Sequence, residues 1–171
     1  MPSYSLISME YLDVVNDKDQ VVGKASISEI YEKKLLHRIV HILIFNNEGK
    51  LALQLRSEHK SFCPLHWSTP VGGHVQSGET YMQGALREFK EELGTEMPIG
   101  FLYRDVYDDD RGLKKFLETF KVVFDGPFEV NPEEVIKVEY FTMDEIQKLI
   151  EEGGKFHPEL LFLLRKHYGL K

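Results

Sequence analysis

The stretch from Gly72 to Gly94 constrains this chain more than any other. It joins a glycine-rich turn, Gly72-Gly73-His74-Val75-Gln76-Ser77-Gly78-Glu79, to one helical segment. Thr80 followed by Gln83 forms a capping-box pattern, and Gly94 stands where a C-terminal glycine stop belongs, so the spacing predicts a helix from Thr80 to Gly94. Met82, Ala85, Leu86, Phe89 and Leu93 recur at helical spacing and are expected to form its buried face. Glu88, Glu91 and Glu92 then share the opposite, solvent-facing surface.

That acidic surface is electrostatically strained. Two of its carboxylates fall in the last turn, where the helix dipole favours cations, and each like-charge neighbour adds a few tenths of a kcal/mol of repulsion, roughly. Gly84 lies one turn before Glu88 and costs about 1 kcal/mol against alanine, which is expected to leave room for something bulky. A divalent cation held by hard oxygen ligands would relieve the repulsion.

The remaining chain reads as alternating strands and helices. A hairpin spans Glu10 to Gly23 around a polar turn at Asn16 to Asp19, and Ser26 to Leu36 holds a short helix or a loop. Arg38 to Phe45 reads as a buried strand, with Lys50 to Leu55 its expected partner across the Asn46-Asn47-Glu48-Gly49 turn. Arg56 to Trp67 is loop, and Ser68 to Val75 a strand. Ile99–Tyr107, Leu113–Phe124 and Val135–Phe141 follow as strands. Thr142 with Glu145 opens a helix that ends near Gly153, and Pro158 starts a last one through Tyr168. Hairpins mixed with crossovers predict an α/β fold with a mixed sheet between helices.

The spaced set Gly73, Glu79 and Arg87-Glu88-Phe89-Lys90-Glu91-Glu92-Leu93-Gly94-Thr95 resembles the Nudix signature: Gly, five residues, Glu, seven residues, then Arg-Glu-aliphatic-x-Glu-Glu-x-Gly-aliphatic. Every charged and glycine position matches. Phe89 and Thr95 depart at two positions that are usually aliphatic, which bears on packing rather than chemistry. The resemblance implies a Nudix-type αβα sandwich with a mixed central sheet, a single domain over residues 1–171 with an N-terminal hairpin extension over about 1–35. It also implies a Mg²⁺-dependent hydrolase, with Mn²⁺ able to substitute, that cleaves a diphosphate bond in a small phosphorylated metabolite such as a nucleoside di- or triphosphate.

Such chemistry needs phosphate charge neutralised, a water activated and the leaving phosphate held in line. Glu88, Glu91 and Glu92 are the expected metal ligands, joined by the backbone of Gly72 or Gly73. Arg87 is expected to hold the loop to the helix through Glu79. The general base comes either from the box itself or from a later acid, for which Glu134 is preferred and Glu118 is comparable. Arg56 and Lys60 suit diphosphate recognition, as a fork and a point charge.

Leu36-His37-Arg38, Arg56, Lys60, Pro64, Trp67 and Gly73-His74 also resemble the isopentenyl-diphosphate isomerase branch of the same superfamily and its hydrolase relatives. His37 and His74 match two of that branch's metal-binding histidines, each equally readable as a structural histidine. The branch's catalytic cysteine is replaced by Gly72, Cys63 reads as a packing residue, and the later glutamate pair has at most one counterpart, Glu118. Hydrolysis is therefore expected over isomerisation. A noncatalytic ligand-sensing module is the third reading. Phe62, His66, Trp67, Tyr103, Tyr107 and Phe116 are open between stacking on a substrate and ordinary core.

A net charge of −7 argues against a nucleic acid polymer or an anionic membrane as partner. The single cysteine, the lack of a long apolar run and a Met1–Glu10 segment without signal-peptide character suit a cytoplasmic enzyme. A homodimer, if formed, is expected through the hairpin or the last helix.

Overall fold

The computed structural model describes residues 10–171. The expectation about the N-terminal segment therefore lies, apart from Glu10, outside the described residues. Strands β1 (Tyr11–Val15) and β2 (Val21–Ser26) form a separate two-stranded hairpin, followed by α1 (Ile27–Lys33). Ser26 caps α1 by accepting the Glu29 amide, which resolves that ambiguous stretch as a helix.

The main sheet has seven strands: β3 (His37–Phe45), β4 (Leu51–Arg56), β5 (Trp67–Ser68), β6 (Val71–His74), β7 (Gly100–Asp108), β8 (Lys114–Val123) and β9 (Val135–Phe141). It is mixed, as expected. β3 runs parallel to β8 from His37↔Lys115 to Phe45↔Val123, while β7 is antiparallel to β8. Two pairings differ from the sequence reading. The residues from Ser68 to Val75 are two strands broken around Pro70, which has no amide to give a ladder. β6 then inserts along β3, from Ile39↔His74 to Ile42↔Val71. As a result β4 meets β3 only at Phe45↔Leu51 and pairs along its length with β9.

β3 divides the molecule by its period of two. Val40, Ile42 and Ile44 face one side, where they pack with Ala85 and Phe89 of α2 (Tyr81–Leu93). Leu43 faces the other, with Ile146 of α3 (Met143–Glu151) and Leu160 and Leu164 of α4 (Pro158–Tyr168). Ile39 joins Leu117 and Leu163 on that second side. Each fully buried Leu or Ile contributes about 1.5–3 kcal/mol, so both faces hold helices firmly. Among the described residues no helix is long and apolar enough to cross a membrane.

The capping box of α2 is present in full: Thr80 accepts the Gln83 amide and Gln83 accepts that of Thr80. Gly94 ends the helix in the left-handed conformation at φ 68°. Its buried face is rotated from the expected one. Tyr81, Gly84, Ala85 and Phe89 are buried, whereas Met82 and Leu86 are exposed. Gly84 faces the turn, where a Cβ would meet Val75 Cγ2 at 3.4 Å and its Cα at 3.5 Å, both ordinary contacts. The space expected beside Gly84 is therefore already filled by Val75.

Candidate active site

The turn from Gly72 to Glu79 is tied down at both ends. The Arg87 guanidinium donates to Glu79 Oε2 (2.8 Å) and Oε1 (2.9 Å), and to the His74 carbonyl (3.0 Å). Glu79 also accepts the Gln76 amide at 2.8 Å. Burial acts to raise the Glu79 pKa, but the Arg87 fork and the Gln76 amide outweigh it and hold the carboxylate low. From outside, Asp13 of β1 accepts Ser77 Oγ at 2.8 Å and the Gly78 amide at 3.2 Å. Gly78 adopts φ 85°, a turn geometry that glycine alone takes without strain.

This lock sets the place of Glu88. Arg87 Nη1 donates to Glu88 Oε1 at 3.0 Å, and the Glu88 carboxylate lies against Gly73 so closely that a Cβ there would stand 2.6 Å from Cδ. Glu88 is thus half-buried under the turn and not on the solvent-facing surface expected for it. Burial, the main cause, and the neighbouring Glu91 and Glu92 raise its pKa to about 7 against the pull of Arg87. Glu92 is also raised, first by burial and then by Glu134. Glu91 remains exposed, 3.4 Å from Arg87 Nη1. Among the described residues no three acidic, histidine or cysteine side chains close into a cage around an ion. The donor set still suits a hard cation: carboxylates of excess negative charge, with a side-chain-free backbone at Gly73 beside one of them.

Beside this helix end opens a cavity of about 570 Å³. Gly72, Gly73, Glu92 and Glu134 line it, as do Arg56 and Lys60, so the structure brings these expected residues to one space. Arg56 donates to the carbonyls of Phe62 (2.9 Å) and Cys63 (3.2 Å), and burial lowers its pKa. The backbone of Glu133 and Glu134 is fixed by Ser57, whose Oγ and amide donate to their carbonyls at 2.8 and 2.9 Å. Glu118 is elsewhere. Three residues along β8 from the cavity-lining Lys115, and so on the opposite face of the strand, it pairs with Arg104 at 2.7 Å near Asp19, on the α2 side of the sheet. Of the aromatic candidates, Phe62 lines the cavity, whereas Trp67 and Phe116 are buried in the cores.

His37 and His74 stand with ring centroids 5.8 Å apart. One ring nitrogen of each is engaged in the protein: His37 Nδ1 with the Leu35 carbonyl at 2.8 Å, His74 Nε2 with the Tyr31 hydroxyl at 2.8 Å. His37 Nε2 is buried without a partner among the described residues. Burial lowers both pKa values to about 4, so both rings are neutral at pH 7.

Sequence reasoning missed the cavity floor. His41 joins Thr69 Oγ1 and Glu159 Oε1, each at 2.9 Å, and Lys115 Nζ donates to Glu159 Oε2 at 3.0 Å. Glu159 is buried. Burial pushes its pKa up, but the His41 hydrogen bond and the charges around it hold it well below the usual carboxylate range. Burial likewise works against the Lys115 charge, and Glu159 more than restores it. His157 caps α4 through Nδ1, which accepts the Glu159 amide at 3.2 Å, and burial lowers its pKa to about 4. The only local signal was His157-Pro158-Glu159, an ordinary helix start.

A mixed sheet sandwiched by helices, with an Arg-Glu lock behind an acidic helix end, defines the class. Residues 35–164 match the family model of the NUDIX domain. The uncharacterized Nudix hydrolase YfcD of Escherichia coli (strain K12) is 32% identical over 161 residues, covering 94% of this chain and 88% of that one. The crystal structure of DR0079 from Deinococcus radiodurans superposes with a TM-score of 0.79 at 30% identity, covering 93% of this chain and 99% of that one. A MutT NUDIX hydrolase from Burkholderia pseudomallei, at 18% identity and a TM-score of 0.61 over 77% of this chain and 98% of its own, shares the fold. The chain belongs to the Nudix family and is a Nudix hydrolase. Enzymes of this family generally use divalent metal ions and act on small molecules. The likeness to the isomerase branch rests on the sequence alone.

Proposed function

We propose that this enzyme is a Mg²⁺-dependent hydrolase that cleaves the diphosphate bond of a small phosphorylated metabolite. The observation that carries this reading is the Glu88 carboxylate, lodged against Gly73, held by Arg87 and raised to a pKa of about 7 beside two further carboxylates. Carboxylates crowded against their own dipole preference suit a cation-binding role better than a stabilising one.

Glu88, Glu91 and Glu92, with the Gly72 or Gly73 backbone, would hold the metal. Bound there, Mg²⁺ supplies charge neutralisation for the phosphate oxygens and lowers the pKa of coordinated water. The protein's own groups account for the rest. Glu79 and Arg87 fix the turn and the helix end relative to one another. Arg56 and Lys60 take the non-bridging oxygens of the diphosphate, and Glu134, beside Glu92 at the cavity wall, accepts a proton from the attacking water. No cysteine lines the cavity among the described residues, and burial raises the Cys63 pKa. This supports hydrolysis over thiol-assisted isomerisation.

The test is phosphate release over nucleotides, nucleotide sugars, dinucleoside polyphosphates, coenzyme A and prenyl diphosphates, with and without Mg²⁺. Metal-dependent release from at least one is expected. Tight binding without turnover across the whole panel would instead support a sensing module, and an allylic product from isopentenyl diphosphate an isomerase.

A further inference from the structure

Six cavity-lining side chains, each from a different segment, join end to end: Thr69, His41, Glu159, Lys115, Tyr31 and His74. The middle of this chain differs from the Arg56 end in one respect. Glu159 spends both oxygens inside the protein, one on His41 and one on Lys115, so the Lys115 charge is already balanced. Arg56 donates to main-chain carbonyls, which leave its positive charge for an anion.

Lys115 is balanced in charge but not in hydrogen bonding. Its ammonium carries three donors. One makes the 3.0 Å bond to Glu159, and a second reaches the Tyr31 hydroxyl at the long distance of 3.5 Å. Among the described residues at least one donor is left without a partner, on a side chain that lines the cavity. Tyr31 presents its hydroxyl beside it, with the ring 5.3 Å from Nζ. An apolar ligand group would strip water from these donors and return nothing. An anionic group would add a buried charge that the Lys115–Glu159 pair cannot neutralise. Arg111, at the cavity rim, is itself paired with Asp109 at 3.2 Å.

We propose that Lys115 and Tyr31 form a specificity site for an uncharged, oxygen-bearing part of the substrate, such as sugar hydroxyls or carbonyl oxygens, joined to the diphosphate at Arg56 and Lys60. This inference rests on the hydrolase reading for the position of the diphosphate. Glu159 acts as a positioning residue that holds the Lys115 ammonium in place. Tyr31 comes from α1, outside the residues 35–164 that match the family model, whereas Lys115 lies within them.

The test is calorimetric binding of three methylenediphosphonate monoesters that cannot be cleaved at the P–C–P bridge: of ribose through its 5-oxygen, of 3-methyl-3-buten-1-ol, and of 4-hydroxybutanoate. The wild type is expected to bind the ribose ester tightest. Lys115→Met combined with Glu159→Gln, which keeps the charge balance, should cut that preference by about tenfold, and Tyr31→Phe, which removes only a hydroxyl, by a smaller factor. Circular dichroism identifies a variant that fails to fold, and Tyr31→Phe then carries the test. Tightest binding of the butanoate or butenyl ester by the wild type would overturn the proposal, as would an unchanged preference in folded variants. Turnover of ribose 5-diphosphate, assayed separately, bears on the hydrolase reading and not on this preference.

Discussion

The charges at the end of α2 and those on the cavity floor are built in opposite ways. At the end of α2, Glu79, Glu88 and Glu91 meet Arg87, whose fork is largely spent on Glu79, and Glu92 adds a further carboxylate beside them. On the cavity floor, Glu159 and Lys115 balance one another, and His41 takes the remaining carboxylate oxygen. The difference teaches what each set can receive. A charge set that closes on itself offers hydrogen bonds without calling for a counter-ion and is costly to break, while one that leaves charge over awaits an ion of opposite sign.

Variants can break this contrast. Removing one member of the closed set should be severe for stability. Glu159→Gln leaves a buried ammonium uncompensated and should cost about 3–5 kcal/mol in urea unfolding. Removing one member of the open set should be severe for activity alone. Glu92→Gln or Glu91→Gln is expected to lower kcat by about 10²–10³-fold, with a stability change within about 0.5 kcal/mol. Wild-type turnover in either would remove these carboxylates from the metal site.

The histidines sharpen the contrast through pH. His37 and His157 have folded pKa values lowered from 6.5 to about 4 by burial. Between those values the unfolded chain binds more protons, so stability rises with pH. It is fully present above about 6.5 and falls towards pH 4, by about 2–3 kcal/mol for each histidine. Unfolding midpoints from pH 4 to 7 check this, and His157→Asn, which keeps a cap acceptor, should flatten the slope. The smallest effect is expected at Gly84. A Cβ there makes ordinary contacts from 3.4 Å outward, so Gly84→Ala should stabilise by about 0.5–1 kcal/mol in thermal unfolding. Gly73→Ala, by contrast, meets Glu88 at 2.6 Å and should displace it.

The open set was legible in the sequence because it is local. Thr80, Gln83 and Gly94 bound the helix by short-range rules, and Gly73, Glu79 and Arg87 to Glu92 lie within one turn-helix unit. The closed set was not, because its parts meet only through topology. Glu159 lies 118 residues from His41 and 44 from Lys115. Alone, an acid in a first helical turn reads as a dipole partner, and a lysine before an apolar strand as a solvated end. The insertion of β6 along β3 was hidden for the same reason: both strands carry apolar residues, and nothing local states which edge receives which neighbour. Even within the legible helix, the buried face takes in Gly84, against Val75, rather than Met82 and Leu86.

The central claim is that the carboxylates at the end of α2 hold the catalytic cation. A crystal grown with Mn²⁺ and a methylenediphosphonate substrate analogue tests it by anomalous scattering. A peak within bonding distance of Glu88, Glu91 or Glu92 oxygens and of the diphosphonate is the predicted result. A bound diphosphonate with its ion held elsewhere, such as between His37 and His74, and those carboxylates turned into solvent would contradict the account.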